Sequence, residues 1–250
     1  LREFMEKGTV IFVSHDTASI VNLCDRAIWI DRGQKKLEGS AKEVSEAYLA
    51  ALFKQKNRMT NSKENEIRVT ENISYKDHRQ DFINGSNCRN DIELFSFDDK
   101  GKQFGEGGAE IYNVLLEDST GSPLSWIVGG ENINLNIYVK CLKDLYSPII
   151  GFYIKDRLGQ TLFGDNTFLS YLDKPLSVKK GDLLDCRFEF RMPLLPVGEY
   201  SICVAVAEGN QQEHIQHHWI HDAVIFKSHS SSTVTGLVGI PMKNISISID

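Results

Sequence analysis

The strongest constraint in the sequence is a pair of alternating segments, ENINLNIYVK at 131–140 and PIIGFYIKD at 148–156. In the first, Ile133, Leu135, Ile137 and Val139 recur at every second position, with Asn134, Asn136 and Tyr138 between them. Successive side chains of a strand point to opposite faces, so this period predicts a half-buried β-strand with an apolar inner side. The second segment repeats the device, with Phe152 and Ile154 inward and Tyr153 and Lys155 outward. If the two strands are neighbours, their outward residues form one surface of amides and phenols.

The pattern continues around them. Leu184, Cys186, Phe188 and Phe190 alternate with Asp185, Arg187, Glu189 and Arg191, and further runs at 92–97, 110–117, 199–207 and 216–226 are separated by turn chemistry such as Asp98-Asp99-Lys100-Gly101. Short strands at this spacing predict a mostly β fold, an antiparallel β-sandwich of immunoglobulin-like or jelly-roll type. In 200–206 the bulky set is Tyr200, Ile202, Val204 and Val206, which leaves Ser201, Cys203 and Ala205 as a small, flat opposite face. In HHWIHDAVIF, placing Ile220, Val224 and Phe226 inward puts His217, Trp219 and His221 in one outward row. A tryptophan flanked by histidines over a floor of small residues suits a sugar, whose ring offers apolar C–H faces for stacking and a rim of hydroxyls. The candidate glycan-binding residues are therefore Trp219, Tyr138 and Tyr153 for stacking, with Asn134, Asn136, His217 and His221 as hydrogen-bonding groups.

The first fifty residues read differently. TVIFV at 9–13 is a continuous apolar run typical of a buried parallel strand, followed by Ser14-His15-Asp16, a helix from Thr17 to Cys24, a second buried strand from Ala27 to Ile30 and a helix from Ala41 to about Lys54. That order predicts an α/β remnant over 1–54, then a polar linker at 55–90, then the sandwich at 91–250. Leu1 rather than Met opens the chain, within a helix-like stretch, and the expectation is a piece of something longer.

Bulk properties narrow the function. A formal net charge of −6 with no basic run excludes a nucleic-acid partner. No apolar run approaches the roughly 20 residues that cross a bilayer, and the expected location is the cytoplasm. The 5 cysteines are scattered and never paired as CxxC, so neither a disulfide framework nor a zinc site is indicated. Alternation sends His217 and His218 to opposite faces, which speaks against a metal there. No GxSxG elbow or carboxylate dyad is present.

The run of apolar strand, Ser14-His15-Asp16, a helix ending Cys24-Asp25-Arg26, apolar strand, Asp31-Arg32-Gly33, then Gly39, Glu43-Val44 and Tyr48 resembles the last quarter of an ABC-transporter nucleotide-binding domain. The resemblance implies that His15 contacts the γ-phosphate of ATP in an intact parent that also binds Mg. No GxxxxGK[ST] loop occurs in the sequence, so this chain by itself is not expected to be an ATPase. With FGEGGAEI at 104–111, LFGDNT at 162–167 and WIHDA at 219–223, nearly the whole chain resembles the Wzt family, the ATP-binding subunits of O-antigen polysaccharide exporters. This second resemblance implies noncovalent binding of the modified non-reducing end of the glycan by a sandwich that needs no cofactor. It also implies a membrane-spanning partner subunit, peripheral attachment at the inner membrane, and a homodimer formed by exchange of a terminal strand. A hinge at 227–233 would precede the strand-like 234–242 and 245–249. The competing expectation is a structural module that only dimerises the ATPases or docks a partner.

Overall fold

The structure, a computed structural model, describes residues 9–14, 17–56, 76–210, 213–229 and 234–249. His15, residues 57–75 of the expected linker and most of the expected hinge lie outside the described residues.

After α1 (Thr17–Leu23), strands β1 (Arg26–Asp31) and β2 (Gln34–Ser40) form an antiparallel hairpin, and α2 (Ala41–Lys56) follows directly. Arg32 and Gly33 both have positive φ, 49° and 76°, as the turn of a two-residue hairpin requires. Trp29 packs edge-on against Tyr48 of α2, whereas Ile28 and Ile30 on the other side of the hairpin are exposed. Two expectations are corrected here. Residues 9–14 form no strand, with Ile11 88% exposed, and 27–30 is half of an antiparallel hairpin instead of a buried parallel strand. A parallel strand is stable only between neighbours that cover both its faces, and no described strand lies beside 9–14.

The short helix α3 (Gln80–Asn84) begins the folded sandwich. Ile83 and Asn90 are buried, Gln80 donates from Nε2 to the Gly129 carbonyl, and the Asp77 carboxylate accepts the Met242 amide. Residues 76–90 therefore belong to the sandwich and not to a linker, because their few apolar and amide groups are anchored by distant loops.

The remaining strands are β3 (Asp91–Leu94), β4 (Gln103–Phe104), β5 (Ala109–Glu117), β6 (Trp126–Val128), β7 (Asn132–Cys141), β8 (Leu145–Tyr146), β9 (Pro148–Asp156), β10 (Thr161–Asn166), β11 (Ser177–Val178), β12 (Leu183–Arg191), β13 (Gly198–Gly209) and β14 (His214–Ser228). One sheet has 7 strands in the order β10-β9-β13-β14-β3-β6, with β4 also on β14; the facing sheet has 3, in the order β12-β7-β5. Every pairing in them is antiparallel. The core lies between the sheets. Ile133, Leu135, Ile137 and Val139 of β7 meet Phe152 and Ile154 of β9, the even-numbered side chains of 200–206 on β13, and Ile220, Val224 and Phe226 of β14. Tyr200 pins the loop before β13 by donating its hydroxyl to the Pro196 carbonyl at 2.8 Å.

Two irregularities mark the outer face and the chain end. In β14 the register against β13 shifts so that Ile202 faces Val224 while Val204 faces Ile220, leaving 221–223 opposite Cys203 alone. Asp222 at the centre of this bulge has φ of 53°. Among the described residues the C-terminal segment 234–249 makes one β-bridge, Gly239 to Leu194, in place of the two expected strands.

Candidate functional site

The inward and outward assignments hold, but the strands sort into layers that the pattern does not encode. β7 and β9 belong to opposite sheets, so Asn134, Asn136 and Tyr138 project from one outer face of the sandwich and Tyr153, Trp219, His217 and His221 from the other. The expected single surface is thereby corrected to two. Period-2 alternation tells inside from outside, not which of two sheets a strand joins.

On the three-stranded side the amides are committed to the fold. The Asn136 side chain is fully buried: its Nδ2 donates to Glu117 Oε2 at 2.6 Å and its Oδ1 accepts from Arg187 Nε at 3.1 Å. Asn134 Nδ2 donates to the Asp118 carbonyl at 3.0 Å. Neither is available as the expected glycan ligand. Tyr138 is half-buried beside the more exposed Tyr112, ring centroids 6.1 Å apart.

The seven-stranded side carries an aromatic stack. Trp219 lies between Phe104 of β4 and Tyr153 of β9, with centroids 5.7 and 5.8 Å away and interplanar angles of 17° and 28°. Its strand neighbours explain the pose. Trp219 pairs with Ala205, which pairs on its other side with Gly151, so the indole lies over a floor without bulky side chains. Tyr153 pairs with Gly164, where an added Cβ would sit 2.7 Å from the tyrosine ring. Trp219 ends 7% exposed and Tyr153 40% exposed. The tyrosine is thus the accessible face of a stack that the tryptophan supports from behind.

The two histidines of the row are roofed over, which corrects their assignment as direct hydrogen-bonding groups for a ligand. Above His217 the chain passes so closely that a Cβ at Gly105 would lie 2.1 Å from its carbonyl oxygen and one at Gly108 2.7 Å from Nδ1. His217 Nε2 is 3.2 Å from Glu208 Oε2, and burial holds its pKa below the usual histidine value. Above His221 lies α2. Lys42 Nζ donates to Asp222 Oδ2 at 3.1 Å, and Glu46 Oε1 stands 3.7 Å from His221 Nδ1. His221 Nδ1 accepts from Trp219 Nε1 at 3.3 Å, so the aromatic stack and the helix meet at one imidazole. Sequence reasoning missed this roof because the covering residues lie more than a hundred positions away and carry no local signal.

Burial, then the nearby Lys155, lowers the His221 pKa to about 4, while burial raises that of Glu46. The two shifts act in opposite directions on stability. For His221 the unfolded chain takes up a proton below about 6.5 that the folded site refuses down to about 4, so stability falls across that window, by at most about 3 kcal/mol at its acid end. For Glu46 the raised folded pKa means that its buried charge is relieved as pH falls, which offsets part of the loss. Urea unfolding between pH 7 and pH 4 is expected to show a shallower acid loss in His221→Asn and a steeper one in Glu46→Gln than in the parent chain. Parallel curves for all three would remove the imidazole as a cause of the acid loss.

Known proteins match different parts of this chain. The O-antigen export system ATP-binding protein RfbB of Klebsiella pneumoniae is 40% identical over 53 residues, which are 21% of this chain and 22% of that protein. The teichoic acids export ATP-binding protein TagH of Listeria innocua serovar 6a is 43% identical over 49 residues, 19% of this chain and 15% of that protein. The chain therefore matches less than a quarter of the length of either relative. The crystal structure of the C-terminal domain of wzt superposes with a TM-score of 0.52 over 61% of this chain and 92% of that one, at 22% identity, and shares its fold. Residues 100–240, more than half of the 250, match the family described as the Wzt C-terminal domain, and the chain belongs to that family.

Proposed function

We propose that this chain recognises, without covalent chemistry, the modified non-reducing end of a bacterial O-antigen polysaccharide, and that in an intact parent this recognition couples chain termination to ATP-driven export. The observation that carries the reading is the stack itself. Tyr153 offers an exposed ring held flat against Trp219 over Gly151, Gly164 and Ala205, a rigid apolar plate of the kind that a pyranose C–H face covers. Family membership and the names of the relatives support the same direction. The parent would be an ATPase working in the cytoplasm at the inner membrane with a membrane-spanning subunit, His15 meeting the γ-phosphate of its Mg·ATP. Among the described residues no helix is long and apolar enough to cross a membrane.

The test is calorimetric titration of the full chain with O-antigen polysaccharide purified with and without its terminal modification. The modified form is expected to bind more tightly, and Tyr153→Ala to weaken it about tenfold, ~1.4 kcal/mol. Equal binding of both forms, unchanged by the substitution, would sink the reading.

A second reading, a dimerising module, draws on the C-terminal segment. Ile245, Ile247 and Ile249 are 55%, 92% and 97% exposed and alternate with Asn244, Ser246 and Ser248 without a strand partner among the described residues. A second copy that accepts this segment as a strand would cover them. In the same titration samples, sedimentation that gives a dimer with no glycan binding favours this module over recognition.

A further inference from the structure

The outermost strand of the seven-stranded sheet presents an aromatic residue that plays no part in the Tyr153 stack. Trp126 of β6 is 43% exposed, yet its ring is fixed from two directions. Its Nε1 donates to Asp91 Oδ1 at 3.0 Å, and one face lies parallel to the His229 imidazole, centroids 5.5 Å apart with 3° between planes. Both anchors are anchored in turn. Arg89 Nε sits 2.9 Å from Asp91 Oδ1, His229 Nε2 lies 2.8 Å from Glu93 Oε2, and the His229 amide donates to the Asp91 carbonyl at 2.8 Å.

We propose that Trp126 is a second carbohydrate contact, a stacking platform for an uncharged pyranose unit in the body of the polysaccharide, rimmed by Asp91, Glu93 and Arg89. The inference rests on the glycan reading above and extends it from the chain end to the repeat. Three features carry it. An indole whose torsions are already held loses little freedom when a ring stacks on it, so the contact energy is not spent on ordering. The rim supplies carboxylate acceptors and guanidinium donors around an apolar face, the pattern that sugar hydroxyls and C–H faces complement. Charge is balanced, because Lys227 stands across from Glu93 in the register and Arg89 is ion-paired with Asp91, which suits a neutral sugar better than a polyion. The position fits as well. Trp126 lies in register with Glu93, Lys227 and Glu199 and on the same outer side of the sheet as Tyr153, which is four strand spacings, about 19 Å, across the sheet and, opposite Cys203, further along it.

The experiment titrates the full chain with oligosaccharides cut from the unmodified repeat and with the modified polysaccharide, comparing the parent chain, Trp126→Ala, Trp126→Phe and Tyr153→Ala. Trp126→Ala is expected to weaken the unmodified oligosaccharides about tenfold, Trp126→Phe to retain most of their affinity, and Tyr153→Ala to leave them unchanged while losing the preference for the modified end. Binding of both ligands by Trp126→Ala at the parent level overturns the platform and leaves the Tyr153 site standing. Weakened oligosaccharide binding by Trp126→Ala, with Tyr153→Ala still preferring the modified end as the parent chain does, keeps the platform and removes the Tyr153 site. No binding by the parent chain overturns both. Unchanged glycan binding with loss of the membrane-spanning subunit in co-purification identifies Trp126 as a protein contact and also overturns the platform. Thermal melts check folding, and if Trp126→Ala is destabilised, His229→Ala, which removes the stacked backing, decides by the same affinities.

Discussion

Replacing Phe152 with alanine is expected to lower folding stability by about 3–5 kcal/mol, the range for a large aromatic deleted from a packed core. Phe152 is buried where the two sheets meet. Its ring lies 5.0 Å from Phe188 and 5.5 Å from Phe190 of β12, and 6.4 Å from Phe163 of β10. Removing it opens a cavity bounded by stiff rings on separate strands, which cannot close over the gap without moving β12 as a whole. For a chain of this size the melting temperature should fall by roughly ten degrees. Phe152→Leu keeps most of the volume and should lose much less. Equal losses for leucine and alanine would mean that ring packing, not volume, holds the sheets together.

Asn90→Ala is expected to cost about 3 kcal/mol, although no apolar core residue is touched. The Asn90 amide is fully buried and joins three distant parts of the chain: Nδ2 donates to the Leu195 carbonyl at 3.0 Å and to Ser228 Oγ at 2.8 Å, while Oδ1 accepts the Leu195 amide at 2.8 Å. Alanine leaves the Leu195 N–H buried without that acceptor, and an unsatisfied buried donor costs more than the hydrogen bond it once made was worth. Asn90→Asp is the informative control. A carboxylate can still accept from Leu195 but cannot donate to its carbonyl, so urea unfolding should place it at or below the alanine variant at neutral pH. Full stability of either variant would show that the three segments are held elsewhere.

The fold was legible wherever alternation reports burial, and the functional face was legible only in part. Ile133 to Val139, Phe152 with Ile154, and Tyr200 to Val206 all take the side that their period predicts. Asn136 shows the limit. Its outward phase was readable, but its burial comes from Glu117 and Arg187 on the strands at either side, and pairing between distant segments leaves no trace in a window of ten residues. The same holds for His221, which is outward in phase and covered by a helix 175 positions earlier. Trp126 had a readable signal, a short apolar triplet between Ser122-Pro123 and Gly129-Gly130, but strands that brief give too few residues for a period to stand out. Ala27 to Ile30 misled for the reverse reason, because a short apolar run has the same appearance in a buried parallel strand and in one edge of a hairpin.

The β14 bulge sets a rule of parity for this protein's evolution. Three residues of β14, 221–223, lie opposite the one that separates Ile202 from Val204, so the excess is two, an even number, and the odd-numbered side chains point outward on both sides of it. A change of one residue in 221–223 would exchange the two halves of the strand relative to each other. Either the Trp219 row would turn into the core, or Val224 and Phe226 would turn out to solvent. A change of two would merely lengthen or erase the bulge. Homologous chains should therefore differ in length at this point by pairs of residues, and single deletions there should be absent among functional variants even though the segment lies on an outer face.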